Sequence, residues 1–141
     1  MLNYVIDTSS LFVLLSTKHD RIADLLDNLA ITDLTLFEIG NVLTKRKDER
    51  INNMPIEKIV ELSKFIASVL QGVFRLEISH TEITGILATS FDSGVTFYDS
   101  SFLYVCRREN LGLVTEDQKL QKKAREIEIH AVNLQKVLLN S

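Results

Sequence analysis

Four carboxylates stand where an apolar run gives way to a helix signal: Asp7 after Tyr-Val-Ile, Glu38 after Thr-Leu-Phe, Asp99 after Thr-Phe-Tyr and Asp117 after Leu-Val-Thr-Glu. Each has an ordinary structural reading. Asp7 and Asp117 suit helix caps, Glu38 completes a capping box with Thr35, Asp99 does the same with Thr96, and acids in a first turn complement the helix dipole. As a set they point to chemistry. The apolar and aromatic residues before each acid predict partial shielding of all four. Asp7 and Asp117 follow clear strands, whose carboxyl ends share the sheet edge where α/β proteins bind ligands. Four converging carboxylates in a site drier than water repel one another by several kcal/mol unless protons or cations intervene. Mg²⁺ or Mn²⁺ is the natural compensation, because hard cations take carboxylate and water oxygens and keep positions open for phosphate. Such a site suits phosphodiester hydrolysis, with one or two metals activating water and stabilising the leaving oxygen.

The elements that must position these acids follow from periodicity. Residues 2–6 read as a buried strand, and 11–29 carry apolar positions at helical spacing, with Lys18 to Arg21 a joint between two short helices. A short strand is expected at 32–34, then a helix over 35–47 with Leu36, Phe37, Ile39, Val42 and Leu43 apolar. Pro55 opens a helix that Gly72 stops. Residues 73–78 alternate as a strand, and Ser79 with Glu82 forms a capping-box pattern ahead of a helix near 80–91. A helix over 97–109, a strand over 113–115, a charged helix from Asp117 to Glu126, a strand near 129–134 and a C-terminal turn or helix complete the chain. Helices separated by short apolar strands predict an α/β fold with a mainly parallel sheet covered on both faces. No repeat, low-complexity run or internal boundary interrupts the 141 residues, so one domain over 1–141 is expected.

Composition excludes several classes. Hydrophobic residues make up 45% and charged residues 25%, which places the chain far from disorder. A lone cysteine, Cys106, rules out an intrachain disulfide and a cysteine-rich zinc site, and its apolar setting predicts a buried structural thiol. The apolar stretches are too short for a membrane helix and the N-terminus lacks a secretory pattern, so a cytoplasmic protein is expected. His19, His80 and His130 lack metal-ligand spacing and read as surface or capping residues. The apolar stripe of residues 56–70 is wider than one core-facing side requires, and a dimer or partner surface is the alternative to core packing.

The segments DTSSLFVLL at 7–15, LTLFEIGNVLTKR at 34–46 and FYDSSFLYVCRRENLGLVTEDQKL at 97–120 resemble the motifs of PIN-domain nucleases, especially VapC-type toxins. In order and spacing the resemblance runs from Asp7 to the strand around Val132. It implies a three-layer α/β/α sandwich, Mg²⁺- or Mn²⁺-dependent endoribonuclease activity, a homodimer and an antitoxin partner. It also implies that Asp7, Glu38, Asp99 and Asp117 form the acidic quartet that binds metal and directs water. Ser9 matches the small polar residue after the first acid, and Thr115 the hydroxyl of a threonine-x-aspartate motif. Asn41, one turn beyond Glu38, lies on the same helix face as a phosphate contact. Glu116, between Thr115 and Asp117, either adds charge near the site or faces solvent.

Setting the quartet aside leaves 15 of the 19 acids against 16 basic residues, so the net charge of −3 does not exclude an RNA groove. Candidate phosphate contacts are Lys45, Arg46, Lys47 and Arg50, Arg107 and Arg108, and Lys119, Lys122 and Lys123, each also readable as a solvated helix face. Two other functions compete. A PIN-like module that binds RNA or protein without cutting would be expected to lack an acid, and none is missing. A phosphotransfer or phospho-acceptor domain would place paired acids after the first strand, where Thr8 and Ser9 stand instead.

Overall fold

The computed structural model describes residues 1–17 and 20–140. Lys18 and His19 lie outside the described residues. The chain runs β1 (Tyr4–Ile6), α1 (Thr8–Ser16), α2 (Ile22–Leu26), β2 (Leu29–Thr32), α3 (Asp33–Lys45), α4 (Ile56–Leu70), β3 (Phe74–Leu76), a 3₁₀ turn (His80–Glu82), α5 (Ile83–Ser93), α6 (Phe97–Glu109), β4 (Gly112–Val114), α7 (Gln118–Glu126), β5 (Ala131–Val132) and α8 (Leu134–Leu139). All strand pairs are parallel, in the order β3-β2-β1-β4-β5. From β1 the chain winds outward through β2 to β3, then returns to lay β4 against the other side of β1. The crevice outside the carboxyl ends of β1 and β4 is therefore the topological switch point.

Residue alternation along the strands builds the two outer layers. Ile6, Leu29, Ile31, Val114 and Val132 join a core with α1, α2, α3, α4 and α8, whereas Val5, Ala30, Leu113 and Ala131 join one built on α6 and α7. The result is a three-layer α/β/α sandwich. Helix α5 lies against α6, where Gly85 brings the two close: a Cβ there would stand 2.5 Å from Tyr104 Cε2.

Two expectations shift. The second strand spans Leu29–Thr32, not 32–34, because that fully buried run pairs with both β1 and β3 and Asp33 already opens the next helix. On α3, Leu36 and Phe37 face solvent, whereas Ile39 and Leu43 are buried. On helix α4, Ile59, Leu62, Val69 and Leu70 pack partly buried against the core beside the fully buried Ile66, whereas Ile56, Val60 and Phe65 are exposed. In contrast, α6 matches its expected span, started by Thr96 and ended by Asn110 in the left-handed conformation.

Two glycine substitutions test the α5–α6 contact by sign. Gly40→Ala, in an open stretch of α3, should stabilise by about 0.5–1 kcal/mol, the usual helix gain. Gly85→Ala should instead destabilise by about 1–3 kcal/mol in urea unfolding, because the new methyl overlaps the Tyr104 ring. A stabilised Gly85→Ala variant would contradict the packing described.

Candidate active site

Asp7 follows β1 directly and its N–H donates to Val114 O of β4 at 3.1 Å, which continues the ladder by one residue. It caps α1, with Oδ1 accepting from Ser10 N at 3.0 Å, and the Ser10 and Thr115 hydroxyls also hydrogen-bond to its carboxylate. On the neighbouring strand, Thr115 is fully buried and its Oγ1 accepts from Asp117 N at 3.1 Å. Asp117 caps α7: Oδ1 accepts from Lys119 N at 2.9 Å and Leu120 N at 3.1 Å. The cap reading therefore holds for both acids without excluding a site, because the Asp117 cap engages Oδ1 alone.

Glu38 departs from its expected capping box. Since α3 begins at Asp33, Thr35 sits in its first turn, where its Oγ1 accepts from Thr32 N at 3.3 Å. Glu38 is left free to reach across the layer, and its Oε1 accepts from Thr8 Oγ1 at 2.7 Å. Asp99 lies in the first turn of α6, and Thr96 Oγ1 accepts from its N–H at 3.2 Å.

Three of the carboxylates are perturbed by burial and by neighbouring charge. Burial first, then the charge of Asp117, raises the Asp7 carboxyl above its ordinary value, although the bonds from Ser10 and Thr115 oppose the shift. Burial likewise raises Glu38, with the charges of Asp99 and Asp7 adding to it, and raises Asp99, with those of Asp7 and Asp117 adding. Asp7 is the common neighbour of the other three. Its side chain is buried, Glu38 and Asp99 are partly buried, and Asp117 is exposed. The expectation that all four are shielded thus fails at Asp117, which stands at the open end of α7.

Among the described residues, no group of three or more carboxylate, imidazole or thiol side chains is arranged as a ready-made metal site. The donor set is all oxygen; burial first raises three of the acids, the charges of their neighbours add to it, and a cation would relieve that repulsion. This suits a hard divalent ion that retains several waters and takes a few carboxylates plus phosphate oxygens.

The supporting residues divide. The Thr115 hydroxyl lies against the Asp7 carboxylate. Ser9 is exposed, and the hydroxyl that serves Asp7 belongs to Ser10, which the sequence reading passed over together with Thr8. Their signal was present: Ser10 is the third helical residue after an Asp cap, where side chains turn back toward the cap. Asn41 is exposed in a groove of about 490 Å³ that it shares with Leu34, Phe37, Glu38 and Tyr98. Lys45 follows Glu38 by seven residues on the same face of α3, Arg46 ends that helix in the left-handed conformation and Lys47 is exposed just beyond. Lys119 is exposed beside Asp117.

Arg107 and Arg108 do not join the site. They lie eight and nine residues after Asp99 on α6, about 12 Å along the axis. Arg108 is committed internally, donating to Glu82 Oε1 at 2.6 Å beside Tyr104, whose hydroxyl donates to the same oxygen at 3.1 Å. Arg107 donates to Ile127 O at 3.2 Å. Arg50 and Lys123 pair with Asp48 and Glu126. Cys106 is buried, donates to Gly112 O and has its thiol pushed up by burial. The His130 ring lies 6.1 Å from that of Tyr4, and His80 is exposed in the 3₁₀ turn.

This arrangement of fold and acids belongs to a known class. Residues 4–126 match the PIN domain, and the chain belongs to that family. It is 31% identical over 122 residues, 86% of each chain, to Exonuclease VapC9 of Pyrobaculum aerophilum. The crystal structure of PAE2754 from Pyrobaculum aerophilum covers 99% of this chain and 96% of its own, with a TM-score of 0.80 and 28% identity. FitAcB from Neisseria gonorrhoeae shares the fold at 14% identity, covering 92% of this chain and 96% of its own with a TM-score of 0.63. A toxin–antitoxin complex from Klebsiella pneumoniae does so at 18% identity, covering 84% and 90% with a TM-score of 0.60.

The burial of Asp7 makes a stability prediction. A carboxyl raised in the fold above its unfolded value weakens the fold while ionised, and that penalty lifts as pH falls through the folded-state pKa. Asp7→Asn keeps a good capping residue and removes the charge. In EDTA at pH 7 its Tm should exceed that of the wild type, and the advantage should shrink as the pH is lowered into the carboxylate range. An equal or lower Tm at pH 7 would show that the carboxylate is not under strain.

Proposed function

We propose that this chain is a single PIN unit acting as a divalent-metal-dependent ribonuclease of VapC type, the toxin of a toxin–antitoxin pair. The observation that carries the reading is the placement of Asp7 at the switch point of a parallel sheet, bonded through its N–H to β4, with Glu38 held by the adjacent Thr8 and Asp117 by Thr115 of the neighbouring strand end. Asp7, Glu38, Asp99 and Asp117 would hold Mg²⁺ or Mn²⁺, which when bound supplies positive charge to a phosphate oxygen and lowers the pKa of water. The chain's own residues set the stage. Ser10 and Thr115 hold Asp7 in place, Thr8 aims Glu38, and the cap leaves Asp117 Oδ2 for the crevice. Asn41, Lys45, Arg46, Lys47 and Lys119 would contact an RNA backbone, and such contacts supply affinity without sequence information.

The partner readings are supported by exposed apolar surface. On α5, Ile83, Leu87 and Phe91 repeat at four-residue intervals and are exposed, as are Phe37 and Tyr98, and a second copy of this chain would cover them. The exposed Ile56, Val60 and Phe65 of α4 suit an antitoxin segment. No helix among the described residues is long and apolar enough to cross a membrane, in keeping with the cytoplasmic site expected of such a toxin.

Cleavage of linear and circular RNA by wild type and Asp99→Asn, purified identically, tests the activity. The wild type should cut both with Mg²⁺ or Mn²⁺, stop in EDTA, and exceed the variant on the order of 100-fold or more, since Asp99 lies among the charges that would organise the reacting phosphate. Circular RNA left intact while linear RNA is degraded from an end would establish an exonuclease instead. Equal cleavage by both proteins, or cleavage in EDTA, would refute the site. Separately, light scattering should give a dimer for the wild type and a monomer for Phe91→Asp, and a monomeric wild type would remove the dimer.

A further inference from the structure

Between β4 and α7 the chain has three residues, Thr115, Glu116 and Asp117, and the middle one is tied to two other helices. Its N–H donates to Ser10 Oγ at 3.0 Å, bridging to the helix that Asp7 caps. Its side-chain Oε1 accepts from Leu134 N at 2.6 Å, the first residue of α8. The ladder explains why they meet. Val114 of β4 is the register partner of Val132 of β5, so two residues further along the parallel strands Glu116 stands opposite Leu134. Leu134 is itself anchored, packed in the core with Ile6, Leu11 and Val137.

Two consequences follow for a fifth acid placed beside the other four. Its carboxylate is drawn to the positive end of α8, where helix N–H groups lack intrahelical partners and Asn133 caps only Lys136 N. The negative charge is thus spent on a backbone donor. The side chain also acts as a strut between a helix anchored by the buried Leu134 and Val137 and the exposed loop that carries Asp117. Asp117 is exposed and fixed to α7 by its cap bonds, so its place relative to Asp7 depends on how this loop and the start of α7 are held.

We propose that Glu116 is a positioning residue, whose bond to Leu134 N holds the Asp117 loop against α8 and so sets the spacing between Asp117 and Asp7. This rests on the reading of Asp117 as part of a metal site. Glu116→Ala removes the acceptor, whereas Glu116→Gln keeps a carbonyl oxygen of the same reach. Three readouts on the full chain separate positioning from mere stability: Mn²⁺ affinity by calorimetry, kcat and KM for RNA cleavage, and amide hydrogen exchange at Leu134 and Asp117.

In Glu116→Ala, Mn²⁺ affinity and kcat should fall roughly 10-fold with KM little changed, the scale seen when an outer partner of a metal ligand is removed. Exchange should quicken at both amides, and Glu116→Gln should restore all three readouts toward wild type. An alanine variant with wild-type Mn²⁺ affinity, kcat and Asp117 exchange would overturn the proposal, as would a glutamine variant no better than alanine. A wild type that neither binds Mn²⁺ nor cleaves RNA would refute the metal site instead. Exchange at Asp117 would then decide alone whether Glu116 holds the loop.

Discussion

The rest of the site depends on one buried carboxylate at the seam between β1 and β4. Asp7 extends the β1 ladder by a single bond to Val114 O, so its backbone position is set by the sheet. Its side chain then faces three demands at once: to cap α1, to hydrogen-bond with Ser10 and Thr115, and to carry charge among Glu38, Asp99 and Asp117. The first two stabilise the ionised form and burial opposes it; burial wins, and the carboxyl is raised. A protein that needed only a helix cap would be served by an uncharged asparagine or serine at that place. Retaining a carboxylate there has a physical rationale if a cation is to be bound.

Hydrogen bonds crossing between elements translate that constraint into geometry. Thr8 reaches Glu38 on α3, Ser10 reaches the Glu116 amide, and Asp33 at the start of α3 accepts from Ile78 N beyond β3. Each joins segments far apart in sequence at the carboxyl edge of the sheet. The opposite edge is organised differently: Arg108, Glu82 and Tyr104 brace α6 against the 3₁₀ turn, and Cys106 packs beneath Gly112. Among the described residues no ion pair reaches Asp7, Glu38, Asp99 or Asp117 at one end of the molecule, whereas Arg108 at the other is paired with Glu82.

The exposed apolar residues follow from the same layering. The inner helix α6 buries Phe102, Leu103 and Val105 against the sheet, so α5 packs on α6, the 3₁₀ turn and α7 and shows Ile83, Leu87 and Phe91 outward. Helix α4 presents an amphipathic face to a layer already occupied by α1 and α3, and only Ile66 becomes fully buried. In each case the isolated chain leaves an apolar helix face uncovered.

Strand alternation, capping residues and punctuation determined much of this in advance. The alternating inward residues of β1, β4 and β5 imply a sheet buried on both faces, and Thr96 with Asn110 bounds α6 at its observed residues, because these signals are local and act within one turn or one pleat. The coupling of the four acids agrees with their common placement at element junctions. Only the tertiary structure decided which partner Glu38 takes, Thr8 over its own helix start. It also paired Arg108 with Glu82 and turned Glu116 toward Leu134. Those outcomes depend on contacts between residues 18 to 30 positions apart, whose distances are set by strand order and register. No local pattern of residues encodes them.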